Sequence, residues 1–485
     1  MRLIDVLPPE IATPEGAAET QVHGITASSL AAGPGWIFAA LPGVKTDGAL
    51  HIPDAIARGA SAIVVAKDKA SLAPPGAVVI AVDNPRRVLA LIAAAFHPRQ
   101  PETCVAVTGT SGKTSVADFT RQIFSYLGHR AASLGTIGVI KPDGAVYGSL
   151  TTPDPVTLHA TLDQLSAEGI THLAFEASSH GLDQHRLDGV KLVAAAFTNL
   201  GRDHMDYHAT VEEYLAAKLR LFSELLQPGQ TAVVNTDGAY AINAVAAARS
   251  RGLRVLTAGT HGEALRRTAL RNDGFAQRVG ITASGRNYEV RLPLVGAYQV
   301  ENALVAAGLA IAAGEDATAV IAALEHLKGV PGRLEIAGEA NGALAIVDYA
   351  HKPEALEAAL AACRPFVTGK LICVFGCGGD RDKGKRPIMG AISAVQSDIT
   401  IITDDNPRSE EAAAIRREIL AAAPGAREIG DRGEAIAAAV ALMSPGDVVL
   451  VAGKGHETGQ IAGNTILPFS DIDELRRAMQ QAYSK

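Results

Sequence analysis

The sequence is poor in cysteine and aromatic residues, and it has no long apolar run. Four cysteines in 485 residues are too few for a disulfide scaffold. Aromatic residues make up only 4% of the chain, yet 48% hydrophobic residues are enough for large cores. No stretch of about 18 consecutive apolar residues occurs, which argues against a membrane-spanning helix. We therefore expect a soluble, cytoplasmic protein that has no membrane partner.

An excess of basic residues is also absent. The formal net charge is −7, whereas proteins that bind nucleic acid carry basic surfaces that contact phosphates. We expect no nucleic-acid partner, and we expect the chain to act as a monomer. Cys373 and Cys377 lie near each other, but one falls in an apolar segment and the other in a glycine-rich turn. We therefore do not expect them to form a metal-binding pair.

What the sequence does contain is a glycine-rich segment between a predicted strand and a predicted helix. The apolar run 105–107 precedes it, and a helix with apolar residues at 3–4 spacing follows and ends at Gly128. Backbone N–H groups and a helix N-terminus at such a turn bind polyphosphates. Lys113 would reach the outer phosphates, and the Thr114 hydroxyl could hold Mg²⁺. The pattern predicts binding of ATP or GTP by Gly109, Thr110, Ser111, Gly112, Lys113, Thr114 and Ser115.

Short apolar segments alternate with alanine-rich segments along the whole chain, a pattern typical of α/β folds. Proline and glycine interrupt this pattern at 97–101 and again at 329–333. We predict an N-terminal domain over 1–98 and a central phosphate-loop domain over 99–330 with a mostly parallel sheet. Residues 331–485 would form a Rossmann-like α/β domain.

Acidic and histidine residues follow two further predicted strands of the central domain. Glu176 comes directly after the apolar segment 173–175. A carboxylate there can ligate Mg²⁺ directly or through water, but it can also be a solvated residue at a strand edge. A second apolar run ends at Phe197, and His204 and His208 lie shortly beyond it. A divalent-cation site beside the nucleotide is favoured over structural zinc, since no cysteine or further histidine has a suitable spacing.

Lys218 is unusual because it shares a predicted helix face with apolar residues. Thr210 and Glu213 form a capping-box pattern that opens the helix, and Tyr214 and Leu221 lie on the same face as Lys218. From these residues alone we favour a lysine that extends along the edge of the apolar stripe to solvent. The alternative is a buried lysine, which can lose its proton and react with CO₂ to form a carbamate, an anionic metal ligand.

Three predicted strands of the C-terminal domain, at 371–375, 399–403 and 448–452, each end in a polar loop. Ligands of open parallel sheets bind at the carboxyl ends of strands. Arginine pairs with carboxylates, while aspartate and glutamate pair with ammonium groups, so the predicted ligand resembles an amino acid. Three separate solvated loops are the alternative. The loops would bring together Arg381, Asp405, Asn406, Arg408 and Glu457.

These motifs together resemble the Mur ligases, which are ATP-dependent amide-forming enzymes of peptidoglycan precursor synthesis. The resemblance extends over essentially the whole chain. It rests on the segments 108–114, Glu176 with 178–180, Asn199 with 203–204, and 348–351. The segments 376–387 and 405–408 resemble family members that add meso-2,6-diaminopimelate to UDP-N-acetylmuramoyl-L-alanyl-D-glutamate. Lysine-adding relatives differ there.

The resemblance implies a role for each matching residue. Lys113, Glu176, His204 and Lys218 would be catalytic, with Thr114, Glu176, His204 and carbamylated Lys218 serving Mg²⁺. Asn302, Asp348 and His351 would complete the ATP contacts of the phosphate loop. The N-terminal domain would help to bind the UDP substrate, and the C-terminal domain would bind diaminopimelate. The UDP substrate would contact Ser28, Thr151, Thr152, Ser178, Gln184 and Arg186. Diaminopimelate would contact Arg381, Asp405, Asn406, Pro407, Arg408, Gly453 and Glu457.

Two rival functions remain open at this point. A lysine-adding ligase or a folylpolyglutamate synthase would share the architecture, although the segment 406–408 speaks against both. A phosphate-loop nucleotide switch without synthetic activity would leave the three charged C-terminal loops without a purpose.

Overall fold

The computed structural model describes residues 1–43, 46–146, 150–201 and 207–483. The chain divides into two compact units. The first contains Met1–Glu263 and Val305–Asp316, and the second contains Ala264–Leu304 and Ala317–Lys485.

The first unit begins with a small parallel sheet, in the order β1-β2-β3-β4, packed against a helix. That helix starts at Pro85 because the Asn84 side chain accepts a hydrogen bond from the Arg87 N–H, and it buries Val88 and Ile92. The 3₁₀ turns Gly48–His51 and Lys67–Leu72 connect the elements. In chain order these are α1 (Leu3–Val6), β1 (Gly24–Thr26), β2 (Trp36–Ala39), α2 (Ile52–Ala57), β3 (Ala62–Ala66), β4 (Val79–Val82) and α3 (Pro85–Phe96).

The rest of the first unit is built on a larger sheet with helices on its faces. Its strands are β5 (Thr103–Thr108), β6 (Ala131–Gly135), β7 (Gly138–Lys141), β8 (Gly144–Val146), β9 (His172–Glu176), β10 (Leu192–Phe197), β11 (Thr231–Asn235) and β12 (Arg254–Gly259). Its helices are α4 (Lys113–Tyr126), α5 (Pro155–Ala167), α6 (Ser179–Asp183), α7 (Val211–Arg220), which continues as a π-helical turn at Leu221–Leu225, and α8 (Ala241–Ser250).

The strand order within this unit is β12-β11-β10-β5-β9-β6-β7-β8. All pairs are parallel from β12 to β6, while β7 and β8 are antiparallel. The parallel strands other than β12 are buried on both faces, which explains their largely apolar sequences. Val107 pairs with Glu176 and Thr108 pairs with Phe197, so the loops that follow β5, β9 and β10 begin side by side.

The second unit contains a three-stranded antiparallel sheet and a six-stranded sheet. The antiparallel strands are β13 (Leu265–Asp273), β14 (Ala276–Ala283) and β15 (Arg286–Leu292). Helices α9 (Ala297–Ala312), whose last turns belong to the first unit, and α10 (Ala317–Ala323) follow, and then a 3₁₀ turn at Leu324–His326. The second sheet has the order β16-β17-β21-β18-β19-β20, parallel except for β16, and has apolar cores on both faces.

The elements of this second sheet follow in chain order, with a 3₁₀ turn at Arg364–Phe366. They are β16 (Glu335–Ala340), β17 (Ala343–Asp348), α11 (Pro353–Cys363), β18 (Leu371–Phe375), α12 (Lys385–Gln396), β19 (Ile399–Ile402), α13 (Ala412–Leu420), β20 (Arg427–Glu428), α14 (Arg432–Ala441), β21 (Val448–Ala452), the hairpin β22 (Gly459–Ala462) with β23 (Thr465–Pro468), and α15 (Asp471–Tyr483).

The α/β fold predicted from the sequence is confirmed. Strands β18 and β21 have the predicted bounds, and β19 ends one residue earlier than predicted. None of the described helices has the length and apolar character that crossing a bilayer requires. The two units are a coarser division than the three predicted domains, because 1–98 packs with most of the central region.

Candidate functional site

The glycine-rich turn after β5 is a phosphate-binding loop held by the neighbouring strand end. Gly109 needs its positive φ of 148°, and a Cβ there would lie 1.9 Å from Thr198 Oγ1. Thr198 Oγ1 donates to the Ser111 carbonyl at 2.7 Å, and the Ser111 N–H donates to Asn199 Oδ1 at 3.0 Å. Gly112, also at positive φ, caps α4. The loop is thus preshaped, with a helix N-terminus available for an anion.

Two lysines converge on one carbonyl of this loop. Lys113 Nζ donates to the carbonyls of Gly109 and Thr110 at 2.8 and 2.9 Å. Lys218 Nζ donates to the same Gly109 oxygen at 2.8 Å and lies 4.4 Å from the centre of the Tyr214 ring. Tyr214 OH is 3.1 Å from Thr110 Oγ1. Helix α7 therefore packs its Tyr214–Lys218 face against the phosphate loop.

The favoured interpretation of Lys218 from the residues alone, an extension to solvent, is therefore wrong. Lys218 is only 1% exposed. Helix α7 begins as predicted, because the Thr210 hydroxyl accepts a hydrogen bond from the Glu213 N–H. The reciprocal contact of a capping box differs, since the Glu213 carboxylate accepts from the N–H of Ala209 and not from that of Thr210. The predicted carbamylation stays a prediction.

Glu176 is likewise buried, and the alternative of a solvated residue is wrong. It is 1% exposed, and its Oε1 accepts from the Thr136 N–H at 2.7 Å. Gly135 makes room for it, since a Cβ there would lie 2.1 Å from Oε1. Thr114, 8% exposed, lies in the first turn of α4 after β5. His204 lies outside the described residues.

A hydrogen-bonded network connects Glu176 with the residues predicted to bind the UDP substrate. Thr152 Oγ1 donates to the Glu176 carbonyl at 2.9 Å and accepts from the Ser178 N–H at 3.1 Å. Arg186 Nη1 donates to the Thr152 carbonyl at 2.6 Å, and its Nη2 donates to Gln184 Oε1 at 2.8 Å. These predicted residues are contiguous in space.

Thr151 joins the same network from the other side. Its Oγ1 lies 3.0 Å from Thr136 Oγ1, and Thr136 Oγ1 lies 3.3 Å from Glu176 Oε2. Thr136, which follows the glycine at the end of β6, was not predicted from the sequence. No motif marks it, because its role depends on the pairing of β6 with β9.

A cavity of about 580 Å³ lies between the small N-terminal sheet with α3 and the segments 154–157 and 184–186 of the first unit. This first cavity is lined by Ser28, Gln184 and Arg186, as predicted, and by Trp36 and Arg86, which the sequence analysis missed. Thr151, Thr152 and Ser178 do not line it and contribute through the network instead. Two guanidinium groups in one cavity favour an anionic ligand such as a diphosphate.

A second cavity, of about 720 Å³, lies in the second unit at the carboxyl ends of β17, β18, β19 and β21. Pro407, which was predicted to contact diaminopimelate, does not line this cavity. Tyr349, Lys352, Glu354 and Lys385 line it and were missed as binding residues, although Lys385 belongs to the quoted segment 376–387. The residues predicted to contact diaminopimelate that line the second cavity are Arg381, Asp405, Asn406, Arg408, Gly453 and Glu457. His351, which was predicted to contact ATP, also lines it.

Asn406 has its amide engaged within the protein. Its Nδ2 donates to Glu457 Oε2 at 2.9 Å, and its Oδ1 accepts from Lys454 Nζ and the Ile461 N–H, both at 2.9 Å. Lys454 is fully buried and also donates to Glu457 Oε2 at 3.0 Å. Asn406 and Lys454 together hold the Glu457 carboxylate at the cavity wall. Lys454 was missed, although it stands between two glycines directly after β21.

Arg408 is held by its own backbone and by a glycine-rich loop. Its φ is +52°, and its N–H donates to the Ile461 carbonyl at 3.0 Å. Its Nη1 donates to the Gly379 carbonyl at 2.8 Å, and a Cβ on Gly378 would lie 2.8 Å from Nη1. The guanidinium is thus directed along the wall of the second cavity by groups that follow β18.

Asp405 is buried, and burial raises the pKa of its carboxyl, while Arg432 and Lys454 oppose the rise. Arg432, itself buried, donates to the carbonyls of Asp404 and Ala452 at 3.3 and 3.0 Å, so one side chain connects the ends of β19 and β21. A Cβ on Gly453 would lie 2.7 Å from Asp405 Oδ2. Only glycine leaves this carboxylate in place.

The remaining predicted ATP contacts lie in the second unit. Asp348 accepts from the N–H groups of Leu334 and Ala350, both at 2.8 Å, and burial raises the pKa of its carboxyl to about 6. Burial lowers the pKa of His351. Asn302 Nδ2 donates to Gln299 Oε1 at 3.0 Å. Their roles toward ATP stay predictions.

Among the described residues, the one cluster with the composition of a metal site lies elsewhere, at His129, His172 and Glu315. His129 Nε2 is 2.8 Å from Glu315 Oε1. The two imidazole rings stack with centres 3.8 Å apart and planes 26° apart, so their in-plane lone pairs do not converge on one point. His172 begins β9, at the opposite end of the strand from Glu176. We interpret the cluster as packing.

Family models match three consecutive segments of the chain. Residues 21–97 match the model described as "Mur ligase family, catalytic domain", 107–310 match "Mur ligase middle domain", and 332–455 match "Mur ligase, glutamate ligase domain". Together with the full-length relatives that follow, these matches show that the chain belongs to the Mur ligase family.

Two relatives of high identity carry the same specific name. A protein of Bradyrhizobium diazoefficiens named UDP-N-acetylmuramoyl-L-alanyl-D-glutamate–2,6-diaminopimelate ligase is 57% identical, over 99% of both chains. A protein of Brucella melitensis with the same name is 57% identical over 96% of both chains. A solved structure of a ligase of that name is 31% identical, covers 99% of both chains and has a TM-score of 0.74.

Proposed function

We propose that the chain joins UDP-N-acetylmuramoyl-L-alanyl-D-glutamate to meso-2,6-diaminopimelate at the expense of ATP. ATP transfers its γ-phosphoryl group to the D-glutamate carboxylate, which yields ADP and an acyl phosphate. An amine of diaminopimelate attacks the acyl carbon, inorganic phosphate leaves, and an amide forms. Lys113, at the phosphate loop, offsets the charge of the phosphoryl group during its transfer.

The second cavity is the observation that carries this proposal. Diaminopimelate has two carboxylates and two ammonium groups, and both signs of charge line the cavity. The cations are Lys352, Arg381, Lys385 and Arg408, and the anions are Glu354, Asp382, Asp405 and Glu457. An amino acid with one carboxylate and one ammonium group would need only one cationic and one anionic side chain. The names of relatives at 57% identity agree with this substrate.

The first cavity supports the UDP substrate. Arg86 and Arg186 suit its diphosphate, and the apolar body of Trp36 suits a planar base. The network from Arg186 through Thr152 to Glu176 leads from that cavity toward the strand ends that carry the phosphate loop. A carboxylate substrate that extends along this network would approach the γ-phosphate.

The donor set at the phosphate loop fits Mg²⁺. Thr114 offers a hydroxyl, and buried Glu176 offers a carboxylate on the strand next to β5, both of which are oxygen ligands of the kind Mg²⁺ prefers. Bound there, Mg²⁺ would neutralise phosphate charge. Buried Lys218 faces the same loop, and a carbamate on it would add anionic oxygens. His204 stays a predicted ligand.

Phosphate release from ATP tests the proposal. We expect release only when UDP-N-acetylmuramoyl-L-alanyl-D-glutamate and meso-diaminopimelate are both present, with a product mass equal to their sum minus water. Replacing diaminopimelate by L-lysine distinguishes the lysine-adding alternative. Release that ignores both substrates would favour a nucleotide switch and contradict the proposal.

A further inference from the structure

A buried carboxylate that no part of the proposed chemistry uses lies at the junction of three elements. Asp188 is 5% exposed, and Arg220 Nη2 donates to both of its oxygens at 2.8 Å. His185 Nδ1 and Arg87 Nε, the latter from α3, each lie 3.5 Å from Asp188 Oδ1. Hydrogen bonds from His185 and Arg220 outweigh the effect of burial and keep the pKa of this carboxyl below its usual value.

Each partner of Asp188 leads to a different part of the reaction site. His185 stands between Gln184 and Arg186, which line the first cavity, and it has an unfavourable φ of +56°. Its Nε2 lies 2.8 Å from Asn84 Nδ2, at the start of α3. Contacts from both sides are what hold a non-glycine residue in this conformation.

The other partner belongs to the helix that carries Lys218. Arg220 is the last residue of α7, and besides Asp188 it donates to the Leu182 carbonyl at 2.7 Å. The opposite face of α7 places Lys218 against Gly109. The helix is thus fixed between the phosphate loop and the segment 182–188.

We propose that Asp188 is a positioning residue that fixes two parts of the reaction site at once, the cavity wall at 184–186 and helix α7 with Lys218. The inference rests on the proposed function. Arg220 Nη2 bridges both oxygens of Asp188 while its Nη1 is held on the Leu182 carbonyl, so the distance and the angle between these elements are both restricted. One carboxylate thereby links the position of the cavity wall to the position of Lys218.

The single tryptophan of the sequence provides a direct binding signal, because Trp36 lines the first cavity. Titration of its fluorescence with UDP-N-acetylmuramoyl-L-alanyl-D-glutamate gives a Kd, and steady-state phosphate release gives kcat and three KM values. For Asp188→Asn we expect a Kd raised about tenfold and a kcat lowered about tenfold, since a lost charge-assisted hydrogen bond corresponds to such a factor. The KM for diaminopimelate should change less than twofold.

Two further variants separate the effect on the cavity wall from the effect on helix α7. Asn84→Ser keeps a helix-capping hydroxyl but loses the contact with His185, so it should affect Kd more than kcat. Arg220→Lys keeps the charge, but one ammonium group cannot replace both Nη1 on the Leu182 carbonyl and Nη2 on Asp188, so it should affect kcat more than Kd. Asp163→Asn is the control, because it breaks the bidentate Arg99–Asp163 pair, whose residues line neither cavity.

Circular dichroism melting of every variant separates positioning from folding. A folded Asp188→Asn variant with parental Kd and kcat would overturn the inference. So would equal losses of kcat in all variants at constant Kd and KM, because that pattern reports only a loss of active protein. Failure of the proposed function is distinguishable, since the parent enzyme itself would then not require the UDP substrate.

Discussion

The phosphate loop of the first unit and the second cavity of the second unit are built in different ways. The phosphate loop is one continuous segment, 109–115, whose backbone shape depends on Gly109 and Gly112. The second cavity collects side chains from loops that are far apart in sequence, and Asn406, Lys454 and Glu457 hold one another. A continuous backbone site can keep its shape when one of its own side chains is removed, whereas an interlocked set of side chains transmits the change.

This difference predicts how each region responds to substitution. Changes at the phosphate loop should remove a charge from the reaction and lower kcat, because the backbone cradle remains. Changes in the second cavity should alter recognition and raise KM, because removing one member displaces the others.

The largest effect is expected for Lys113→Ala. The ammonium that we propose to offset the phosphoryl charge is lost, and loss of such a group typically costs about 10²–10³ in kcat. The fold should survive, because the variant loses only two hydrogen bonds, which the partly buried Lys113 ammonium donates to loop carbonyls. Product formation and circular dichroism measure both. Lys141→Ala, at a partly exposed ion pair, is the control, and near-parental turnover in folded Lys113→Ala would exclude this role.

Lys218→Ala should lower kcat about 10²-fold, because the helix face at Gly109 loses its charged group. Small carboxylates such as formate or acetate should restore part of the activity, because they can replace carbamate oxygens near Mg²⁺. Activity is measured against added carboxylate, with Lys113→Ala as a variant that should not respond. Full activity of Lys218→Ala without additive would contradict the carbamate.

Arg408→Ala should raise the KM for meso-diaminopimelate about 10–100-fold and leave the KM for ATP unchanged. The guanidinium would pair with the carboxylate that distinguishes diaminopimelate from lysine, and a site built for a polar group strongly rejects its absence. Steady-state kinetics with both amino acids measures the preference. Arg417→Ala, at an exposed pair with Glu411, serves as control. An unchanged preference would mean that the segment 405–408 does not select the substrate.

Lys454→Met tests the interlocking directly. Glu457 Oε2 and Asn406 Oδ1 would each lose a charged donor, so we expect a KM for diaminopimelate raised about tenfold with kcat nearly constant. Lys370→Met, at an exposed lysine of the same unit, is the matched control. A fall in kcat without a change in KM would place Lys454 on the reacting groups instead.

The sequence was more informative about the phosphate loop than about the second cavity for a physical reason. Local spacing predicts the loop, its strand and its helix, because phosphate binding uses consecutive backbone groups. The sequence also predicted three of the four strand ends that meet around the second cavity, since parallel strands place their loops at one edge, but it did not predict that β17 joins them. Local spacing left open whether Lys218 and Glu176 are buried or solvated, and it did not reveal the roles of Thr136 and Lys454, because these features depend on contacts between distant elements.

The smallest effect is expected for alkylation of Cys377, which tests whether the interlocked side chains of the second cavity are rigid. Cys377 stands between two glycines at the second cavity, yet it is 3% exposed, and its Sγ lies 3.7 Å from Met389 Sδ. Burial raises the pKa of this thiol to about 12, so at pH 7.5 almost no reactive thiolate exists. Iodoacetamide at pH 7.5 should therefore leave the activity within about twofold of the parent, whereas the unfolded chain should react at all four cysteines. Rapid inactivation that Cys377→Ser abolishes would show that the wall of the second cavity opens in solution. The interlocked side chains would then be less rigid than their contacts indicate.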